Sequence, residues 1–512
     1  MSVEQISSNK RIAKNTIMLY IRMMLSMVIA LYTSRVVIQT LGVSDYGVYG
    51  VVAGVVTMFG FFNNALAGAT ARYLSVELGK GNRTRLKDTF STAFALHLGI
   101  AIFVTILCET IGIWFLDNKL VLPEGRLYAA QWVLQLSVLT MAFHVIQVPF
   151  NAAIITNEKM GVFAFIEIFN AIFKLLIVYV LLIGDYDKLI LYAFLSCLVA
   201  LIVLLLYVIY SLTNFEECSL RLMWKNELIR PMLTYSGWEF YGNMSLVASS
   251  QGINMLLNVF FGTLMNAAYD VATRVKNIIM SLSTNVTTAI RPQIYKNYSI
   301  ENYERVFSLM QNGARITFLL MLLFCAPLII ETPYILHIWL GIVPEHADTL
   351  LRLSLLWNLI VSMYITMNDV SHATGDVKFQ CLMSGTLYAV VLPISYVALR
   401  LGAPYWVPFA LNAVNVTVDP VYTGYAIKKH IPDFSWRKHV LDDLVPYYGI
   451  LTAVIVIPAF LTYFMGQSFL RLIITTILSS SLTFVLGYYV LLPKIVRVKL
   501  ITALKRKIFN NE

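Results

Sequence analysis

The sequence predicts an all-α polytopic membrane protein with about 14 transmembrane helices, and three observations lead there. Of the 512 residues, 58% are hydrophobic and only 13% are charged, with a mean hydropathy of +0.72; a soluble domain carries about 25% charged residues. Apolar runs of about 20 residues, enough to cross a ~30 Å hydrocarbon core, recur along the chain. Lysine and arginine alternate between successive loops, as they do where cytoplasmic loops hold the excess.

The runs fall at roughly 15–38, 46–69, 91–116, 128–155, 160–183, 189–212, 234–261, 264–290, 313–335, 349–373, 379–401, 405–427, 445–465 and 469–492. The first follows Lys10, Arg11 and Lys14, as the core of a signal peptide would. It outruns a usual h-region of about 7 to 15 residues and is read as a retained span. Of the 38 Lys and Arg, 26 lie in the tails and alternate loops of one side. The opposite loops hold Lys119, Arg126, Lys188, Arg352, Arg400 and Arg471. The positive-inside rule then puts both termini in the cytoplasm, and an even number of spans agrees. The formal net charge of +10 is topology and not a nucleic-acid footprint.

Breakers lie within several spans, among them Pro149, Pro327, Pro333, Pro393, Pro408 and Pro420, with glycines at 47, 50, 54, 60 and 68. Ordinary membrane-helix usage accounts for them, and rocking hinges are the alternative. Cys108, Cys197, Cys218, Cys325 and Cys381 have no metal-ligand spacing and are read as packing residues. Trp114, Tyr128 and Trp339 near span ends suit an interfacial belt.

A weak internal repeat organises the chain. ATARYLSVELGKGNRTRLKDTF after the second span answers TAIRPQIYKNYSIENYERVF after the eighth, and Thr156-Asn157-Glu158-Lys159 answers Thr374-Gly375-Asp376-Val377-Lys378. Gly42, Arg72 and Thr156 thus meet Gly262, Arg291 and Thr374 at an offset of about 219 residues. Six helices separate the copies, so both enter the membrane in the same direction. The expected organisation is an N-terminal six-helix lobe over 1–218, a second over 219–430, and two further helices with a basic tail over 431–512.

Ionisable residues inside spans are the functional candidates, because an arginine at a helix centre costs about +2.5 to +3.5 kcal/mol on insertion scales. Arg22 and Arg35 both lie in the first span, about 20 Å apart along a helix and about 140° apart around it, so they do not form one clamp. Arg22 shares a partly polar face with Ser26, Ile29 and Thr33; Arg35 lies near the far end, where snorkelling would account for it. Asp270 and Arg274 stand at i and i+4 and can pair, while Lys276 has no such partner. Lys174 follows Glu167 by seven residues on one helical face, which suits a structural or proton-linked pair. Glu239, Asp369 and Asp419 are acids in apolar surroundings and candidates for a coupling proton. Nothing supports soluble enzymology: there is no Walker A motif, no HExxH and no clustering of the seven histidines.

The stretch LYIRMMLSMVIALYTSRVVIQTLGVSDYGVYGVVAGVVTMFGFFNNALAGATARYLSVELGKGN resembles the start of Wzx-type polysaccharide repeat-unit flippases of the multidrug/oligosaccharidyl-lipid/polysaccharide exporter superfamily, with LGVSDYGVYG the most specific element. VPFNAAIITNEKMGVFAFIEIFNAIFKLLIVYVLL resembles the family's fourth to fifth helix region. The second half departs from the early motif, with AAYDVATRV in place of DYGVYGVV.

The resemblance implies an inner-membrane flippase, not an enzyme, that carries an undecaprenyl-pyrophosphate-linked oligosaccharide to the periplasmic leaflet by alternating access, coupled to an ion gradient. It implies lipids, a glycan polymerase and glycosyltransferases as partners, and no cofactor or metal. Arg22 and Arg35 match basic residues of the family's first helix. Arg22 with Arg274 and Lys276 is expected to hold the pyrophosphate, and Arg35 to receive it or gate the outward side. Two alternatives stand: a drug or metabolite exporter of the same superfamily, and a non-transporting scaffold for glycan assembly.

Overall fold

The computed structural model describes residues 3–58, 61–118, 125–181, 183, 186–261, 263–340 and 343–491. The basic tail over 492–512 and the side chains of Arg35 and Asp270 lie outside the described residues, and so do the expectations placed on them.

The chain is all-helical, with no strand among the described residues. In order the helices are α1 (Val3–Met58), α2 (Phe61–Gly79), α3 (Arg83–Leu107), α4 (Ile113–Asn118), α5 (Leu127–Thr156), α6 (Met160–Val180), α7 (Lys188–Asn214), α8 (Asn226–Phe261), α9 (Thr263–Ser299), α10 (Tyr303–Ile330), α11 (Thr332–Leu340), α12 (Ala347–Thr374), α13 (Lys378–Arg400), α14 (Val407–His430), α15 (Trp436–His439), α16 (Val445–Thr462) and α17 (Phe469–Leu486). Single π-helical segments, Cys108–Gly112, Val440–Leu444 and Gly487–Leu491, continue α3, α15 and α17. Ten helical stretches among the described residues are long and apolar enough to cross a membrane. The four other expected crossings fall on α1, the run from α1 into α2, α9 and α14. The protein is a multi-pass membrane protein.

The helical assignment of α1 is continuous through the junction expected between the first two spans, but its contacts run in two directions. Leu19 packs with Met160 at the start of α6. Asp45 pairs with Arg126, the N-cap of α5. Ser75 then meets Thr156, the last residue of α5, at 3.1 Å. The chain therefore crosses between Leu19 and Asp45, ~39 Å at the helical rise, and returns between Asp45 and Ser75.

Two compact units emerge: Met1–Asn243 with Ala289–Asn302, and Met244–Thr288 with Tyr303–Glu512. In the first unit α3, α5 and α7 pack in sequence and α6 lies on α7; in the second α10, α12 and α14 do the same and α13 lies on α14. Matching turns join α5 to α6 and α12 to α13. The second turn has Gly375 at φ +83°, a left-handed conformation that glycine adopts freely. The first has Glu158 at φ +58°, which costs a residue with a Cβ about 1 to 2 kcal/mol. Buried Glu158 is held there by Gln293 and Lys296, whose side chains donate to its Oε1 at 2.7 and 2.9 Å.

The core of the first unit forms where the apolar faces of α3, α5 and α7 meet, around Phe90, Phe150, Val203 and Tyr207. In the second, α12 is the most enclosed of the membrane-length helices. It carries one buried polar stripe, Ser354, Asn358, Ser362 and Thr366, at four-residue steps. Asn358 donates to the Lys276 carbonyl at 2.9 Å and Thr366 to the Met310 carbonyl at 2.8 Å. Small polar groups of this kind join helices where lipid supplies no hydrophobic drive between them.

Candidate functional site

The first unit holds a cavity of about 330 Å³ between α1, α6 and α7. Ser26, Ile29 and Thr33 line it from α1, so the face that carries Arg22 in the sequence is the face turned to the cavity. Glu167, Asn170 and Lys174 line it from α6, at i, i+3 and i+7 on one helical face. Tyr192 contributes an aromatic wall and stands edge-on to Tyr49 at 4.8 Å.

Glu167 and Lys174 share the cavity, but among the described residues no ion pair within 4 Å joins them. Glu167 accepts instead from the Tyr207 hydroxyl at 2.9 Å. Arg22 lies one turn before Ser26, its guanidinium 5.0 Å from the centre of the Phe163 ring and near enough to Tyr207 to act on it electrostatically. Its stem is placed by Leu19, which is fully buried with Met160 and Ala289.

In the second unit Lys276 lines a small pocket of about 50 Å³ with Ser249, Tyr269, Trp357, Tyr388 and Asn412. Its ammonium stands 3.8 Å from the centre of the Trp357 ring, a cation–π contact made stronger by removal from water. Arg274 is exposed and does not line that pocket, as two residues' separation on a helix turns it ~200° away. Arg22 belongs to one unit and Arg274 and Lys276 to the other.

The acidic candidates separate by environment. Asp419 is buried and accepts from Thr423 at 2.8 Å, with Tyr364, Tyr388 and Tyr422 around it. Among the described residues it has no ion-pair partner. Asn368, beside buried Asp369, extends the network by accepting from Gln380 at 2.7 Å and Thr423 at 3.4 Å. Glu239, in the first unit, lies one turn from Tyr235 and from Asn243, whose side chain donates to its carbonyl at 2.9 Å. Arg72 and Arg291, the two arginines that mark the sequence repeat, both act on Tyr235, and Arg72 stacks on it at 5.8 Å.

Several charged groups were not singled out by sequence reasoning. Arg126 ties Asp45 to Asp187, the N-cap of α7. Arg315, within the apolar run at 313–335, pairs with Asp443 at 2.9 Å, and His439 meets the same carboxylate at 3.0 Å. Arg471 pairs with Glu331 at 2.9 Å, and Thr475 donates to the same oxygen at 2.8 Å. The acids were visible in the sequence; their arginine partners, 61 to 140 residues away, were not legible as such. Among the described residues no group of three or more His, Cys, Asp or Glu could hold a metal ion.

No family profile matches the chain, and no curated protein matches it either. Solved structures do. A MATE transporter in its straight conformation superposes with a TM-score of 0.72 at 12% identity, covering 83% of this chain and 97% of that one. An outward-facing multidrug resistance MATE family transporter of the MOP superfamily gives 0.71 at 12% identity, covering 83% and 96%. A MOP superfamily transporter from Pyrococcus furiosus, described as having a binding pocket of reverse polarity that suggests a different function, gives 0.63 at 12% identity, covering 82% and 96%. At such identities the likeness concerns the fold, and this chain has the fold of MATE transporters of the MOP superfamily.

Proposed function

We propose that the protein is a membrane transporter that flips an undecaprenyl-pyrophosphate-linked oligosaccharide from the cytoplasmic to the periplasmic leaflet by alternating access, for surface polysaccharide biosynthesis. A fold hosts many functions, so the reading rests on the lining and not on the architecture. The observation that carries it is the basic interior. Lys174 faces the cavity of the first unit and Lys276 the pocket of the second, and neither has an ion-pair partner among the described residues. Fixed cations in a hydrated cleft suit a pyrophosphate that cannot cross hydrocarbon unaided. Arg22 in the first unit and Lys276 in the second are each assigned to anionic groups of the substrate, Arg35 to the outward side, and Asp419, with its hydroxyl partners, to the coupling proton.

A drug exporter of the same superfamily is the second reading, favoured by the buried acids Asp369 and Asp419, which suit a lipophilic cation. Translocation of a labelled lipid-linked oligosaccharide in proteoliposomes decides between them. Arg22→Ala and Lys276→Ala, inserted at normal levels, are expected to lower the rate about tenfold or more, the loss of one charge-assisted hydrogen bond each. Full activity in both variants, or export of cationic dyes with no lipid translocation, overturns the flippase reading.

A further inference from the structure

The cavity of the first unit has a lining that a pyrophosphate alone does not explain. Its charged edge is a row on α6: Glu167, Asn170 and Lys174, spanning ~10 Å of helix. A carboxylate, an amide and an ammonium offer acceptors and donors at successive heights, a pattern suited to a polyhydroxylated ligand. Thr33 adds a hydroxyl that is buried and makes no hydrogen bond within the protein. A buried hydroxyl without a partner is costly, and a ligand that supplies one is favoured by the difference.

The α1 wall sets aliphatic surface between the hydroxyls of Ser26 and Thr33. Ile29 and Ala30 present aliphatic surface, and Tyr192 presents a ring held edge-on by Tyr49. A pyranose has this same division, with hydroxyls around its rim and C–H bonds on its faces. About 330 Å³ lies at the small end of the range for ligand pockets, room for one or two sugar rings.

The charges then select among sugars. The Glu167 carboxylate is engaged by Tyr207 at 2.9 Å, whereas Lys174 has no hydrogen bond or ion pair among the described residues. Glu167 keeps its charge and acts on Lys174 across the cavity, but the charged group there that has no hydrogen bond or ion pair among the described residues is the Lys174 ammonium. We infer that this cavity is a saccharide subsite in which Lys174 selects a ring bearing a carboxylate, a uronic-acid-like unit of the transported glycan. The inference rests on the flippase reading and adds the chemical class of its cargo. Its geometry is consistent with a pyrophosphate at Arg22, one helical turn before Ser26, followed by the first sugar along α1 toward Thr33.

The test uses free sugars and no lipid carrier, so its outcome is independent of the translocation assay. Saturation-transfer NMR on the full chain in nanodiscs is recorded with glucuronate and with glucose at millimolar concentration, each with and without inorganic pyrophosphate as an unobserved competitor. Glucuronate is expected to saturate several-fold more than glucose, to lose that excess in Lys174→Gln, and to keep it in Lys174→Arg. Thr33→Val is expected to weaken both sugars. Equal signals from glucuronate and glucose in the unaltered protein overturn the inference without reference to any variant. So does a glucuronate excess that survives Lys174→Gln, or displacement of glucuronate by pyrophosphate in a Lys174-dependent way, which makes the cavity a phosphate site. Glucuronate selection together with unimpaired translocation in Arg22→Ala leaves the subsite standing and removes the pyrophosphate assignment.

Discussion

Asp376 shows what a single side chain contributes outside the membrane. It lies in the turn between α12 and α13 and accepts from Lys429 at 2.9 Å and from His430 at 3.1 Å, both in the last turn of α14. The Lys429 ammonium, and after it His430, holds the Asp376 carboxyl below the usual carboxylate range. A depressed pKa in the folded state means that the stabilisation is complete above the unfolded value, about 4. It is lost as pH falls through the lower, folded value. Thermal unfolding between pH 7 and pH 3 is expected to show an acid limb that Asp376→Asn flattens. The pair is partly exposed, so 1 M salt is expected to reduce the difference. Asp376 was named in the sequence only as part of a repeated turn; Lys429 and His430, 53 and 54 residues on, were legible as charge near a span end and not as its partners.

At the scale of elements, two contacts fix helices that the sequence left loosely placed. The end of α2 approaches α9 so closely that a Cβ on Gly79 would stand 2.8 Å from the Lys296 Cα and 2.9 Å from its carbonyl oxygen. Backbone cannot rotate away as a side chain can. Gly79→Ala is expected to destabilise by about 2 to 3 kcal/mol, whereas Gly252→Ala, which meets only the Leu392 side chain, costs about 1 kcal/mol. Comparative melting of the two variants in detergent measures this. The final helix pair, outside the sequence repeat, is tied to the rest of the second unit by buried charge. Asp443 takes Arg315 and His439, and Glu331 takes Arg471 and Thr475. Removing one partner of a buried pair strands the other, so Asp443→Ala is expected to cost about 3 to 5 kcal/mol and to lower the melting temperature. Arg315 lies within the apolar run at 313–335, but its role was not legible there, because the carboxylate that neutralises it lies 128 residues further on.

At the scale of the whole molecule the orientation in the membrane is a prediction from charge alone. Both termini are expected in the cytoplasm, and the test is cysteine accessibility. The five native cysteines are buried, so background labelling is low. Gly81→Cys and Glu301→Cys are expected to react only from the cytoplasmic side, and Ile183→Cys and Leu401→Cys only from outside; the reverse pattern inverts the topology. What the sequence by itself determined is the all-helical membrane class, the alternation of basic loops, the paired turns at Thr156 and Thr374, and the polar face of the first helix. These are local properties, because hydropathy, helical period and loop charge are each read within about 20 residues. Tertiary structure alone decided that Ser26, Ile29 and Thr33 share a cavity with Glu167, Asn170 and Lys174. It alone decided that Glu167 is answered by Tyr207 while Lys174 is left facing open space, and that Arg22 and Lys276 belong to different units. The physical reason is that the worth of a charge in a bilayer depends on what other helices place against it, and helix pairing across more than 100 residues leaves no period in the chain.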